Sequence, residues 1–349
     1  MTAPVRSSWR RALAVLAAGA AVLVLLAPTG PARAAATAAT CTDVSVPVTY
    51  AGGSGRIAGT LCVPPGGATS VQLLVHGYSY ARYYWDFPYQ PETYSYVRRA
   101  TAAGYATLAI DRLGDGASTR PAGLHLTWDN AAATVHQVVT ALRSGDLGTA
   151  YDKVILVGHS YGSVTSYRAA DRYQDVDALI VTGIAHRADL VRLTTDLVLQ
   201  SPPAALDPKF RGQGLDPLYV TTRPGTRGLF YNTANADPEV IRVDERLKQT
   251  AGLLEIPTAA QYLVNGVSRR TNIPVLTVLG DQDSFFCGLL AAPCASEEGL
   301  ARFERRFYGP GATVEAALIP AGGHDINLER TAPLAYDRML AFADRYVGP

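Results

Sequence analysis

Charge is scarce in this chain of 349 residues: Asp, Glu, Lys and Arg make up 17% of it, and they balance to a formal net charge of +1. So even a balance gives no field to draw in nucleic acid or an anionic membrane surface, which sets aside both as electrostatically recruited partners. Cysteine is limited to Cys41, Cys62, Cys287 and Cys294. These four lack CxxC spacing and have no histidine in ligand register, which argues against a structural zinc site. Repeats and low-complexity segments are missing after the first thirty-odd residues. Long hydrophobic runs are missing too, apart from Ala12–Ala27, and that run falls short of the ~18–20 apolar residues that cross a bilayer.

The N-terminal run has the flanks of an export signal. Arg6, Arg10 and Arg11 precede it, Pro28, Gly30 and Pro31 end it, and Ala32-Arg33-Ala34 offers an A-x-A cleavage site. Cleavage near Ala34 is the expectation, in preference to an uncleaved anchor, and the residues around Arg10-Arg11 fit a twin-arginine signal poorly. Removing residues 1–34 takes away four arginines and no acid, leaving a formal charge of −3 and all four cysteines. An even cysteine count in an exported chain favours disulfides. Sequence order pairs Cys41 with Cys62 and Cys287 with Cys294, out of three possible connectivities. The mature protein is thus expected outside the cell, with no stable membrane insertion.

The remaining chain is long enough to bury a full core. Val44–Tyr50 and Arg56–Val63 read as a hairpin around a glycine-rich turn, fastened by the first cysteine pair. Strands and helices then alternate: strand Val71–Val75, helix Thr93–Ala103, strand Tyr105–Ile110, helix Thr127–Arg143 with Thr127 as N-cap, strand Val154–Val157, helix Tyr161–Tyr173 and strand Ala178–Thr182. Continuous apolar strands between helices imply an α/β fold, a mostly parallel sheet covered on both faces. The rhythm breaks between about 186 and 272, a proline-rich stretch with one clear helix. Asp237 is that helix's N-cap, Pro238 its first residue, and Gly252 lies beyond its end. This stretch reads as a cap over the sheet within a single domain, residues 35–349. Strand Val275–Leu279, helix Glu297–Phe307, strand Thr313–Ile319 and helix Ala332–Tyr346 complete the pattern.

In such sheets the working groups gather at the carboxyl ends of the strands. Gly158-His159-Ser160-Tyr161-Gly162 lies there, a G-x-S-x-G between a strand and a helix, the setting that lifts a nucleophilic Ser Oγ out of a strained turn. A serine needs a base held by a third group. His324, after strand Thr313–Ile319, is the candidate base. Gly280-Asp281-Gln282-Asp283 offers two acids; Asp283 is favoured because the loop must leave the strand before a carboxylate can turn toward His324. Asp281 is expected to cap the loop backbone, Asp325 to point elsewhere, and Asp189 is a distant alternative. The oxyanion donors are expected to be the backbone N–H groups of Tyr161 and Tyr78. The turn holding Tyr78, His76-Gly77-Tyr78, lacks an HGGG form. Tyr80, Tyr84 and Trp85 in the aromatic row that follows, together with His186, are candidate substrate contacts, with core packing the alternative for the row. The loop from Asp111 to Ser118 reads as a shaping loop.

Taken together, the HG turn at His76-Gly77, the D-R-x-G-x-G-x-S loop, the GHSYG elbow, the GDQD loop and the GGHD loop resemble the α/β-hydrolase superfamily over nearly the whole mature chain. The Ala-rich leader is similar to those of secreted actinobacterial hydrolases. Members include esterases, lipases, lactonases, thioesterases, peptidases, epoxide hydrolases and cofactor-free haloperoxidases. Ser160 argues against the epoxide hydrolases and dehalogenases, which use Asp as nucleophile. The resemblance implies a serine hydrolase without cofactor or metal, acting on a small ester or lactone of apolar or aromatic character. A peptidase or amidase on the same triad and a binding protein on an inactive scaffold are the alternatives.

Overall fold

In the computed structural model, residues 38–262 and 268–349 are described; the expected export signal lies outside them. Strand β1 (Thr40–Tyr50) turns back into β2 (Gly53–Val63), and the chain then enters the alternating region. There β3 (Ser70–Val75), β4 (Ala106–Ile110), β5 (Lys153–His159), β6 (Ala178–Thr182), β9 (Val275–Gly280) and β10 (Val314–Ile319) pair in parallel. The eight strands lie in the order β1-β2-β4-β3-β5-β6-β9-β10, and β2 joins β4 antiparallel. The apolar runs that predicted buried strands are buried: every residue of β3, β4, β6 and β9 is buried.

The principal helices start where the sequence places their caps. Thr127 accepts from Asn130 N–H at the start of α3 (Trp128–Ser144), and α4 (Tyr161–Tyr173) begins directly after Ser160. The expected helix Thr93–Ala103 is instead two pieces, α1 (Pro91–Tyr94) and α2 (Tyr96–Ala102). Ser95 separates them because its hydroxyl accepts from Arg98 N–H and donates to Asp86, so it acts as an N-cap inside the apolar pattern. Between β6 and β9 the chain forms α5 (Leu190–Arg192), a π-turn segment Leu193–Val198, the short pair β7 (Tyr219–Val220) and β8 (Ala251–Gly252), α6 (Pro238–Leu247) and α7 (Glu255–Ala259). Asp237 caps α6 as expected, and Gly252 lies beyond the helix end at Leu247, in β8.

Both cysteine pairs are bridged as sequence order suggests, Cys41–Cys62 across the β1–β2 hairpin and Cys287–Cys294 in the loop after β9. The free edge of β1 is covered from α3 at the strand's C-terminal end. Gln137 accepts from Thr49 N–H (2.8 Å) and donates to Thr49 C=O (2.8 Å). Asn130 does the same for Ala51 (2.9 and 3.2 Å). Two positions before Thr49 stands Pro47, which has no N–H to offer.

Candidate active site

Ser160 sits between β5 and α4 with φ 49° and ψ −118°, a conformation that costs energy in any residue with a Cβ. Close packing enforces it. A Cβ on Gly162 would lie 2.2 Å from Val75 C=O at the end of β3, so only glycine lets the helix start this near the neighbouring strand. The turn after β3 is equally close: a Cβ on Gly77 would stand 3.1 Å from Cβ of Ser160.

The acid and base loops are sewn together at the ends of β9 and β10. Gln282 N–H donates to Gly322 C=O (2.8 Å) and Asp281 N–H to Ile319 C=O (3.0 Å). A Cβ on Gly280 would strike Gly322 C=O at 2.1 Å. This crossing brings His324 Nδ1 to 2.9 Å from Asp283 Oδ2 and His324 Nε2 to 2.8 Å from Ser160 Oγ. The other Asp283 oxygen accepts from Phe285 N–H (2.9 Å) and Phe286 N–H (3.2 Å). A carboxylate so supplied with donors is an acceptor toward His324, so Nδ1 carries the proton and Nε2 is free to accept from Ser160. Burial lowers the basicity of His324, but the charge of Asp283 and its hydrogen bond outweigh it and hold the imidazole above the usual histidine value of 6.5. Asp281 does not cap the loop backbone as expected; its carboxylate meets only the Gln282 side chain among the described residues, and Asp283 has the capping role as well.

Behind His324, the His159 ring lies 5.2 Å away, centroid to centroid, and its Nε2 is 3.0 Å from Asp325. Asp325 therefore does point away from the Ser160 side. Burial raises its carboxyl to about 6, and Tyr80 donates to it.

A cavity of about 560 Å³ opens over Ser160, His324, Tyr78 and Tyr161. Its walls are apolar, among them Leu190, Leu193, Leu197, Ile256, Phe285 and Phe286, and no Asp, Glu, Lys or Arg lines it among the described residues. Tyr80, Tyr84, Trp85 and His186 do not line it, contrary to expectation. The Tyr80 hydroxyl is tied to Asp244 (2.8 Å) and Asp325, and Tyr84 stacks on His159 with ring centroids 4.2 Å apart. Trp85 is fully buried, and His186 is held by Glu304 (2.7 Å) and Ser268 (3.1 Å). The aromatic row packs the core. The walls that the sequence reading missed carried two signals. Leu190, Leu193 and Leu197 recur at helical spacing after the Asp189 cap, and two phenylalanines follow Asp283 almost at once.

The sheet order, the crossover helices and the strand-to-helix turn bearing Ser160 make this the α/β-hydrolase fold. Residues 72–337 match the model of the Alpha/beta hydrolase family, and the chain belongs to that family. Among solved structures it is similar to a soluble variant of monoglyceride lipase from Saccharomyces cerevisiae in complex with a substrate analogue, at 15% identity and a TM-score of 0.60 over 90% of this chain and 98% of that one. It is also similar to a thermostable carboxyl esterase from Bacillus coagulans in complex with glycerol, at 15% identity and a TM-score of 0.60 over 88% and 99%. An esterase from Pyrococcus furiosus aligns at 16% identity and a TM-score of 0.51 over 89% and 92%. No curated protein sequence matches the chain.

Proposed function

We propose that the protein is a secreted serine hydrolase that cleaves a neutral carboxylic ester or lactone with an apolar acyl part. The observation that carries this reading is the Ser160–His324–Asp283 hydrogen-bond chain at the base of an uncharged cavity. Ser160 Oγ attacks the carbonyl carbon while His324 Nε2 takes its proton, and Asp283 stabilises the imidazolium that forms. The N–H groups of Tyr78 and Tyr161 receive the oxyanion. His324 then returns the proton to the leaving alkoxide. Water, deprotonated by the same imidazole, releases the acyl group and restores Ser160. The segment 186–272 acts as a cap whose leucines and Ile256 hold the acyl chain. The lipase and esterases of like fold work on the same bond type by name. Two disulfides support a location outside the cell.

A peptidase would need charge in the cap to hold a peptide terminus, and the cavity walls have none among the described residues. A fluorophosphonate probe should label the wild type and not Ser160→Ala, and Ser160→Ala should lose at least ~10³-fold in kcat. p-Nitrophenyl esters and lactones should turn over while aminoacyl-nitroanilides do not. Equal labelling of both proteins would overturn the serine mechanism, and preference for the anilides the ester reading.

A further inference from the structure

The motif from Asp111 to Ser118 and the histidine of the HG turn have no part in the proton transfers above, yet both converge on one peptide group. Gly77 C=O and Tyr78 N–H belong to the same peptide unit, the one that presents the candidate oxyanion donor. His76 Nδ1 lies 2.9 Å from Gly77 C=O, and Arg112 Nη2 lies 3.4 Å from the same oxygen. The tautomer of His76 follows from its other nitrogen. Arg112 N–H donates to Nε2 (3.0 Å), so Nε2 is the acceptor and Nδ1 carries the proton that goes to Gly77 C=O. Asp115 Oδ2, at 4.0 Å from Nε2, is beyond hydrogen-bond reach.

Arg112 is itself held through both terminal nitrogens and its ring-facing side. Its Nη1 donates to Glu255 (2.8 Å) on α7, its Nη2 to Asp115 (2.9 Å), and its guanidinium lies over the Tyr161 ring at 4.7 Å. Both His76 and Arg112 are buried, and burial with the nearby guanidinium keeps His76 well below the usual histidine value, neutral at working pH.

We propose that His76 and Arg112 form a clamp on the Gly77–Tyr78 peptide that orients and strengthens the Tyr78 N–H for the oxyanion. This rests on Tyr78 N–H being an oxyanion donor. The reasoning is electrostatic. A trans peptide points its N–H opposite to its C=O, so two donors on Gly77 C=O aim the Tyr78 N–H away from them and prevent the peptide from flipping. Donors on the carbonyl, one of them cationic, also polarise the amide and make its N–H a better donor. The structure adds a brace on the far side of Tyr78. Ser79 is held at φ 59°, its hydroxyl bonded to Arg227 (2.7 Å) and its C=O to Gln249 N–H (2.9 Å). His76 and Arg112 are positioning residues, since neither lines the cavity.

The test is His76→Phe, which keeps a ring but no donor, against His76→Asn, which restores an N–H near the place of Nδ1. Loss of a transition-state contact lowers kcat and leaves KM alone. His76→Phe should lose about tenfold in kcat with KM within about twofold, and bind phenylboronic acid about tenfold more weakly. His76→Asn should recover to within about threefold of the wild type. If His76→Phe does not fold, Arg112→Lys carries the test, because a point charge can satisfy Glu255 and Asp115 but not Gly77 C=O as well; the same drop in kcat and boronic acid affinity is expected. A folded His76→Phe or Arg112→Lys with unchanged kcat, or with a loss confined to KM, would overturn the clamp. A wild type that hydrolyses no ester and takes no fluorophosphonate would overturn the hydrolase reading instead.

Discussion

A neutral imidazole is required of His324 if it is to accept the Ser160 proton, and Asp283 pushes it the other way. With the carboxylate in place, the pKa lies above 6.5, so kcat/KM should rise with pH along an acid limb whose midpoint is above 6.5. Asp283→Asn removes the charge and offers the ring the wrong tautomer, so kcat should fall by about 10⁴-fold. The residual activity should have its limb shifted to lower pH, because the strongest opposition to burial, which lowers the value, is then gone, with only Asp325 and Glu329 left to raise it. Asp281→Asn should stay within about threefold of the wild type, since that carboxylate meets only Gln282. Stopped assays from pH 5 to 9 on the three proteins decide this, and the reverse ranking of the acids would displace Asp283. The meeting of Ser160, His324 and Asp283 was legible because spacing at strand ends carries the information. The burial of Tyr80 was not, because its partners Asp244 and Asp325 lie 164 and 245 residues along the chain.

Among the elements, the loop from β9 to the helix Glu297–Glu304 holds the acid, two cavity phenylalanines and a disulfide within a dozen residues. Cys287 N–H donates to Asp283 C=O (2.8 Å), so the bridge anchors the turn that aims the carboxylate. In the chain-entropy picture the Cys41–Cys62 bridge is worth about 3.4 kcal/mol and the shorter Cys287–Cys294 bridge about 2.5 kcal/mol. Replacing Cys41 and Cys62 by Ser should therefore lower Tm more. Replacing Cys287 and Cys294 should lower kcat more, by up to ~10²-fold, because a small shift in a supporting group is costly in rate. Thermal melts and ester kinetics on the two double variants check both halves; equal kcat losses would sever the bridge from the acid. Element boundaries were read well where caps stand at the ends of apolar runs, as at Thr127 and Asp237. They were misread where a cap stands inside one, as at Ser95.

At the scale of the molecule, the parallel sheet and its order of motifs followed from alternation alone, whereas the walls of the cavity did not. Those walls come from the stretch between β6 and β9 and from the loop after β9, and although Leu190, Leu193 and Leu197 show a helical spacing, only tertiary contact sets them over Ser160. The sheet also has ends. A strand at a sheet margin is a template for another chain, and β1 is eleven residues long. Here Pro47 withholds a donor, while Gln137 and Asn130 occupy both backbone groups of Thr49 and Ala51 as a neighbouring strand would. The Asn130→Ala/Gln137→Ala pair should therefore sediment as concentration-dependent oligomers on mild heating while the wild type does not. A variant that stays as dispersed as the wild type would remove that role from the two amides. Two side-chain amides thus close that stretch of the margin to strand exchange without adding another strand to the sheet.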